Sequence, residues 1–189
     1  GGTGHAANSR RGQKVRGQIF PGVLGGIKEG MNVVLIGYRA CGKSTVGKLL
    51  ADRLKIAFLD TDLLIEESLG MPIKEIVTVR GWDYFRAREK EAVQKLAQKD
   101  ECVIATGGGV VLDEENVGLL KKIGCVIWLK APVADIIERL KQDVNTENLR
   151  PQFTDGNLAE ETNMVLEKRI PLYQKAADYA LDTAGKKAS

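Results

Sequence analysis

One short stretch near the start of the chain carries a pattern of residues that binds phosphate. An apolar run, Val33–Ile36, leads into Gly37, and Gly42, Lys43 and Ser44 follow after a gap of four residues. The glycines let the backbone curl so that successive N–H groups point at phosphate oxygens, next to the positive end of a helix. Lys43 adds a charge for the β- and γ-phosphates, and the Ser44 hydroxyl is a ligand for Mg²⁺. The pattern therefore predicts a nucleotide-binding loop, rather than a glycine turn that only joins a strand to a helix.

Two acidic residues stand where a second predicted strand ends. The apolar run Ile56–Leu59 is followed directly by Asp60, Thr61 and Asp62. Ligands of parallel sheets bind beyond the carboxyl ends of the strands, so both acids are expected near the phosphate loop. Asp60 is placed to hold a Mg²⁺-bound water. Asp62 is placed to accept hydrogen bonds from substrate hydroxyls, and to orient or deprotonate the attacking one. The plainer alternative is a helix cap, a role that Thr61 or Asp62 could fill.

A run of three glycines, Gly107, Gly108 and Gly109, follows the third predicted strand, Cys102–Ala105. Consecutive glycines cost backbone entropy, and a ligand that approaches the main chain closely would explain them. A plain flexible turn is the alternative. We expect the run to lie at the same edge of the sheet as the two acids.

Three arginines are candidates for binding anions. Arg86 lies three residues before Glu89, so the two share one face of a helix. Arg169 lies just before Pro171, which is expected to kink or end its helix. Two guanidinium groups that converge on one cleft suit bidentate capture of a carboxylate or phosphate, although each alone is an ordinary surface arginine. Arg150 stands in a polar segment and is expected to cover the γ-phosphate as part of a mobile lid.

Strand-like and helix-like segments alternate along the chain. The predicted strands are Val33–Ile36, Ile56–Leu59, Cys102–Ala105, Cys125–Leu129 and a last one around Tyr179–Leu181. The predicted helices are Lys43–Leu54, Leu63–Leu69, Pro72–Val79, Trp82–Leu96, Glu114–Lys122, Pro132–Lys141 and Leu158–Ala176. This alternation predicts an α/β protein whose parallel sheet is covered by helices on both faces.

Composition sets the limits within which these elements fold. The 189 residues are 43% hydrophobic and 28% charged, which is ordinary for one globular domain. We expect a single kinase domain over residues 31–185, with a lid at about 142–157 and a short tail at 186–189. Residues 1–30 are rich in glycine and basic residues, and we expect a disordered tail that is an added segment or an extended start before Met31, with an RNA-binding arm as the alternative.

Charge and cysteine content bear on partners and compartment. The net charge is +3, but the first 30 residues carry +4, so the rest of the chain is slightly acidic and gives no sign of a nucleic-acid surface. No stretch has the ~20 apolar residues of a membrane span. Cys41, Cys102 and Cys125 have no metal-site spacing, which favours a reducing cytoplasm.

These pieces, in this order, resemble the shikimate kinase family over residues 32 to about 182. The matching pieces are Gly37–Thr45, Phe58–Asp62, Phe85-Arg86 with Glu89, Ala105–Gly109, Leu149–Pro151 and Arg169–Tyr173. The resemblance implies a three-layer P-loop fold of the nucleoside-monophosphate-kinase type, with a five-stranded parallel sheet in the order 2-3-1-4-5 and a mobile lid. The implied reaction is transfer of the ATP γ-phosphate to the 3-hydroxyl of shikimate, a step in making chorismate and the aromatic amino acids.

The resemblance also implies roles for single residues. It assigns Arg86 and Arg169 to the shikimate carboxylate, and Asp62 with Gly107–Gly109 to its hydroxyls. It assigns Arg150 to the lid and Arg139 to the adenine face. The residues of the loop that we expect to bind ATP are Gly37, Arg39, Ala40, Cys41, Gly42, Lys43, Ser44 and Thr45.

Catalysis and metal binding are expected from a smaller set. Lys43, Asp62 and Arg150 are the expected catalytic residues. Ser44 is expected to ligate Mg²⁺ directly and Asp60 through water. The expected partners are ATP and shikimate, with no nucleic acid and no membrane, and a monomer is expected.

The loop departs from the family pattern at two positions. Ala40 stands where a glycine is common, and it narrows the allowed backbone angles without blocking phosphate binding. Cys41 stands where Ser or Ala is frequent. A thiol inside a cradle of N–H groups is expected to be reactive, so oxidation or alkylation of Cys41 should inactivate the protein and ATP should protect it.

Other functions remain as alternatives from the residues alone. One is a kinase for another small acceptor, such as gluconate or a nucleoside monophosphate. Another is a GTP-dependent switch, but the sequence lacks the Asn-Lys-x-Asp guanine motif, and the Asp-x-x-Gly match at 182–185 lies after the last predicted strand. A catalytically dead relative conflicts with the presence of Lys43, Ser44, Asp60 and Asp62 together.

Overall fold

The computed structural model describes residues 30–142 and 157–184. The predicted tail before Gly30, the predicted lid between Gln142 and Asn157 with Arg150, and the predicted end segment 186–189 lie outside these ranges.

The centre of the fold is one parallel sheet. Its strands are β1 (Asn32–Ile36), β2 (Ala57–Asp60), β3 (Cys102–Ala105), β4 (Gly124–Lys130) and β5 (Tyr179–Asp182). They pair in the order β2-β3-β1-β4-β5, and every pairing is parallel. The strand order that the family resemblance implied is therefore confirmed, and each strand lies within two residues of its predicted bounds.

Helices connect the strands and cover both faces of the sheet. They are α1 (Lys43–Leu54), α2 (Thr61–Leu69), α3 (Ile73–Leu96), α4 (Glu114–Ile123), α5 (Val133–Gln142) and α6 (Leu158–Ala176), and a 3₁₀ turn at Val110–Leu112 adds a short element. The two helices predicted on either side of Gly81 are one element with a break, because Gly81 has φ 83° and ψ 168°.

Helix α6 has the predicted bounds, Leu158–Ala176, so Pro171 does not end it. It contains Pro171 and continues to Ala176. A proline inside a helix leaves one carbonyl, here that of Glu167, without its N–H partner. Both Pro171 and Glu167 are exposed, so water can satisfy that carbonyl. The opposite face of α6, which includes Leu166 and Tyr173, is buried and holds the helix in place.

The core lies on both faces of the sheet because successive strand residues point to opposite sides. Val33 and Leu35 pack with Leu50 and Ala51 of α1 on one face. Val34 and Ile36 pack on the other face with residues of α3, α4 and α6. No helix within residues 30–142 and 157–184 is long and apolar enough to cross a membrane.

The carboxyl ends of three adjacent strands, β2, β3 and β1, meet at one edge. Ala105 is in register with both Leu35 and Asp60, so β1, β2 and β3 end side by side. The backbone N–H and the hydroxyl of Thr106 both donate to the Leu35 carbonyl oxygen, each at 3.1 Å. The phosphate loop, the acid pair and the glycine run therefore begin at the same edge, as the sequence predicted.

Candidate active site

The phosphate loop delivers an open helix N-terminus to this edge. Gly42 has φ 97° and precedes α1, whose start has no capping side chain. The first N–H groups of a helix have no partner within the helix and are left for a side chain, water or a ligand. Combined with the positive end of the helix dipole, this arrangement is suited to a phosphate group.

Lys43 lies inside the curve of the loop. Its ammonium group donates to the carbonyl oxygens of Gly37 at 2.9 Å and Tyr38 at 2.8 Å, and lies 3.8 Å from the sulfur of Cys41. Lys43 is buried, and Cys41 is 1% exposed. The predicted modification of Cys41 therefore requires the loop to open, and it stays a prediction.

Ser44 and Asp60 meet where α1 begins and β2 ends. The Ser44 hydroxyl donates to Oδ2 of Asp60 at 2.7 Å. Oδ1 of Asp60 accepts from the N–H of Asp62 at 3.0 Å, so Asp60 caps α2. The sequence analysis offered Thr61 or Asp62 as the helix cap. In the structure the cap is Asp60, because α2 already begins at Thr61. A hydroxyl and a carboxylate oxygen side by side are ligands that Mg²⁺ prefers, so these residues fit the ion. Thr45 is exposed on the first turn of α1.

Side chains from α2 and α3 surround the first and last glycines of the run. A Cβ added to Gly107 would lie 2.8 Å from Oδ1 of Asp62 and would collide with Oε1 of Glu89. A Cβ added to Gly109 would collide with the guanidinium group of Arg86. The glycines are therefore required by the close approach of Asp62, Glu89 and Arg86, which a plain flexible turn would not explain.

Arg169 reaches the middle of the same run from α6. Its Nη1 donates to the carbonyl oxygen of Gly108 at 3.1 Å, and it is 7% exposed. The hydroxyl of Tyr173 donates to the same oxygen at 2.5 Å. Arg86 and Arg169, which are far apart in sequence, thus converge on three consecutive residues.

Glu89 sets the electrostatics of the pocket. Its Oε2 accepts from Nη1 of Arg86 at 2.7 Å, and its Oε1 has no hydrogen-bond partner among the described residues. Burial raises the pKa of Glu89, while the charges of Arg86 and Arg169 lower it and that of Asp113 raises it. The Arg86 side chain remains 27% exposed, so part of its guanidinium group is open to a ligand.

Two arginines predicted to bind ATP contact other parts of the protein. Nη2 of Arg39 donates to Oε1 of Glu161 on α6 at 2.6 Å. Nη1 of Arg139 donates to the carbonyl oxygen of Ala40 at 3.1 Å. Arg139 therefore lies beside the phosphate loop. Its contact with adenine stays a prediction.

Sequence reasoning missed Thr61 and Tyr173 as supports of the glycine run. Thr61 is fully buried, and its hydroxyl oxygen accepts from the N–H of Gly107 at 2.8 Å. The position of Thr61 between two acidic residues was the signal in the sequence that could have indicated this role. Tyr173 stands one helical turn after Arg169, so its spacing placed it on the same face.

A model of the shikimate kinase family matches residues 39–189. Among curated proteins, shikimate kinase of Thermodesulfovibrio yellowstonii is 46% identical over 154 residues, covering 82% of this chain and 86% of the relative. Shikimate kinase of Syntrophus aciditrophicus is 40% identical over 161 residues, covering 81% of this chain and 83% of the relative.

Solved structures give the same result. The shikimate kinase of Acinetobacter baumannii in complex with shikimate superposes with a TM-score of 0.79 at 33% identity, covering 85% of this chain and 87% of that one. The shikimate kinase of Aquifex aeolicus superposes with a TM-score of 0.70 at 34% identity, covering 84% of this chain and 89% of that one. The chain belongs to the shikimate kinase family, a family of small-molecule kinases that phosphorylate shikimate.

Proposed function

We propose that the chain transfers the γ-phosphoryl group of ATP to the 3-hydroxyl of shikimate. The observation that carries the proposal is the convergence of Arg86, Arg169 and Asp62 on Gly107–Gly109, at the sheet edge that also bears the phosphate loop. Shikimate presents a carboxylate and several hydroxyls. The pocket offers two guanidinium groups for the first, and a carboxylate with backbone groups for the second.

On the acceptor side, Arg86 and Arg169 bind the carboxylate and so fix one end of the ring. Asp62 accepts a hydrogen bond from the attacking hydroxyl and orients it, or takes its proton as phosphate is transferred. Glu89 holds the guanidinium of Arg86 in place from the buried side. With both ends held, the attacking oxygen is positioned in line with the γ-phosphate.

On the nucleotide side, the loop from Gly37 to Thr45 cradles the phosphates with backbone N–H groups. Lys43 moves its ammonium group from the loop carbonyls to the β- and γ-phosphate oxygens. Ser44 would hold Mg²⁺ directly and Asp60 would hold it through water, and their oxygens lie 2.7 Å apart. Bound there, the ion would supply positive charge next to the phosphate oxygens. Arg139 contacts adenine, and Arg150 covers the γ-phosphate.

Most of the rate acceleration comes from positioning and charge neutralisation, because phosphoryl transfer asks for little covalent chemistry from the protein. We propose that the domain over residues 31–185 acts in the cytoplasm as a monomer and without nucleic acid. The slightly acidic balance beyond residue 30 supports the absence of a nucleic-acid partner.

The proposal is tested by ADP release coupled to NADH oxidation. The full chain is given Mg·ATP with shikimate, gluconate or a nucleoside monophosphate as acceptor. We expect ADP release to depend on shikimate alone, with shikimate 3-phosphate as product. Equal ADP release with gluconate, or release that ignores the acceptor, would contradict the proposal.

A further inference from the structure

Two charged contacts hold the outer turn of the phosphate loop, residues 38–40, to the helices α5 and α6. Arg39 donates to Glu161 of α6 at 2.6 Å, and Arg139 of α5 donates to the Ala40 carbonyl oxygen at 3.1 Å. The first contact joins residues 122 positions apart in sequence. The turn is therefore fixed from outside the strand and helix that it connects.

Both side chains of the contact between Arg39 and Glu161 are buried, whereas Arg86 is 27% exposed in its contact with Glu89. The side chains of Arg39 and Glu161 are 9% and 0% exposed, whereas those of Arg88 and Glu91 on α3 are 33% and 44% exposed. A buried carboxylate is costly unless it is paired, and arginine stays charged at every physiological pH. Glu161 therefore strongly favours the position of the Arg39 side chain in which the guanidinium group pairs with its carboxylate. An exposed ion pair, in contrast, constrains the backbone of its residues little.

Apart from the bonds that Lys43 donates to the carbonyl oxygens of Gly37 and Tyr38, the backbone of the turn is weakly fixed by its own bonds. Ala40 has φ 58°, a left-handed conformation that side chains disfavour. The bond that closes the turn, from the N–H of Cys41 to the carbonyl oxygen of Tyr38, is long at 3.4 Å. The directions of the loop N–H groups depend on this turn, so contacts that hold it from outside determine where those groups point.

We infer that Glu161 is a positioning residue for the phosphate loop. Through Arg39 it holds the turn at residues 38–40 so that the N–H groups of the loop converge on the polyphosphate of the nucleotide. Arg39 then serves phosphate binding through Glu161, in place of the direct contact with ATP that its sequence position suggested. The inference rests on the proposed function only in that the loop binds ATP.

The test compares polyphosphate ligands with and without a nucleoside. Glu161→Gln, Arg39→Gln and the double variant are titrated calorimetrically with Mg·ATP, Mg·ADP and tripolyphosphate, which has no base or ribose. We expect the affinity of each variant for all three ligands to fall by a similar factor, on the order of tenfold. The double variant should be no weaker than either single variant, because both remove the same contact. Shikimate affinity should change less than about twofold, within the additivity expected of separate sites.

Matched controls come from the exposed pair on α3. Arg88→Gln and Glu91→Gln remove the same charges and should leave all affinities unchanged. Arg39→Lys keeps the cation and should recover part of the lost affinity.

Several outcomes would overturn the inference. Loss of ATP affinity with unchanged tripolyphosphate affinity would mean that Arg39 acts on the nucleoside. Losses that add in the double variant would mean that the two residues act separately. If circular dichroism shows that the Gln variants are unfolded, Glu161→Asp provides the test instead. This variant keeps the negative charge but moves it away from Arg39. Unchanged tripolyphosphate affinity in that variant would overturn the inference. Absence of shikimate-dependent ADP release in the unmodified chain would instead remove the proposed function and leave these comparisons valid.

Discussion

Arg169 and Tyr173, one turn apart on α6, donate to the same acceptor, the carbonyl oxygen of Gly108, at 3.1 and 2.5 Å. Burial raises the pKa of Tyr173 well above its usual range, and Arg169 opposes this only in part, so the hydroxyl stays a donor. The Tyr173 ring also stacks on Trp128, with centroids 5.7 Å apart. The middle of the glycine run is thus tied to the helix that supplies the second arginine of the pocket.

Tyr173→Phe removes one of these two hydrogen bonds and keeps the ring. We expect the free energy of unfolding to fall by about 1–2 kcal/mol. We expect the KM for shikimate to rise several-fold, because Arg169 alone then holds Gly108, while the KM for ATP stays constant. Thermal unfolding and steady-state kinetics measure both. Tyr179→Phe on β5 is the matched control, and an equal rise of both KM values would argue against the assigned role.

Gly109→Ala places a methyl group against the Arg86 guanidinium and should displace it. We expect shikimate-dependent turnover to fall by ~100-fold or more, the scale of a misplaced binding group. Gly118 on α4 has nothing within 4 Å of an added Cβ. Gly118→Ala should therefore stabilise the protein by roughly 0.5–1 kcal/mol and leave turnover unchanged. Wild-type turnover in the Gly109 variant would show that Arg86 does not need this space.

Ala40→Gly tests the strain in the phosphate loop. Ala40 has φ 58°, which costs an L-residue roughly 1–2 kcal/mol and costs glycine little. Part of this gain is offset by the entropy that glycine loses on folding, so we expect a change between zero and about 1 kcal/mol in favour of the variant. Ala87→Gly, at an exposed position inside α3, should cost about 1 kcal/mol. Chemical denaturation of both variants gives the comparison, and equal destabilisation would rule out strain at Ala40.

Glu89 should make stability depend on pH with a definite sign. Burial raises the pKa of Glu89 above 4.5, with Arg86 and Arg169 opposing and Asp113 reinforcing the shift. A carboxyl group whose pKa is higher in the folded state binds more protons when folded. The contribution of Glu89 to the free energy of unfolding is therefore present below pH 4.5 and is lost as the pH rises through the raised pKa of the folded state.

In Glu89→Gln this loss is absent, so the stability of the variant relative to wild type should increase from pH 4.5 to neutral pH. Urea midpoints across this range measure the difference. Glu91→Gln is an exposed change on the same helix, and the pH dependence of its stability should be parallel to that of the wild type. If the pH dependence of Glu89→Gln were also parallel to that of the wild type, the pKa of Glu89 would not be raised in the folded protein.

Local patterns predicted the fold because each element carries its own signal. The strands and helices show separate periodicities. Arg86 and Glu89 were expected to share one face because they are three apart on one helix, and in the structure they form an ion pair. The carboxyl-edge rule then placed Asp62 and the glycine run together.

Contacts between distant residues left no local signal. Arg39 and Glu161 are 122 residues apart, so their pairing depends on how the sheet and helices assemble. The predicted bounds of helix α6 are confirmed even though it contains Pro171, because its buried face outweighs the local preference of proline.

The central claim is that Arg86 belongs to the shikimate pocket, and one pair of variants tests it. Arg86→Ala and Arg88→Ala lie two residues apart on α3, and ADP release is measured in each with and without shikimate. We predict that Arg86→Ala loses shikimate-dependent turnover and still binds ATP as the wild type does, whereas Arg88→Ala keeps both. Equal shikimate-dependent turnover in the two variants would contradict the assignment.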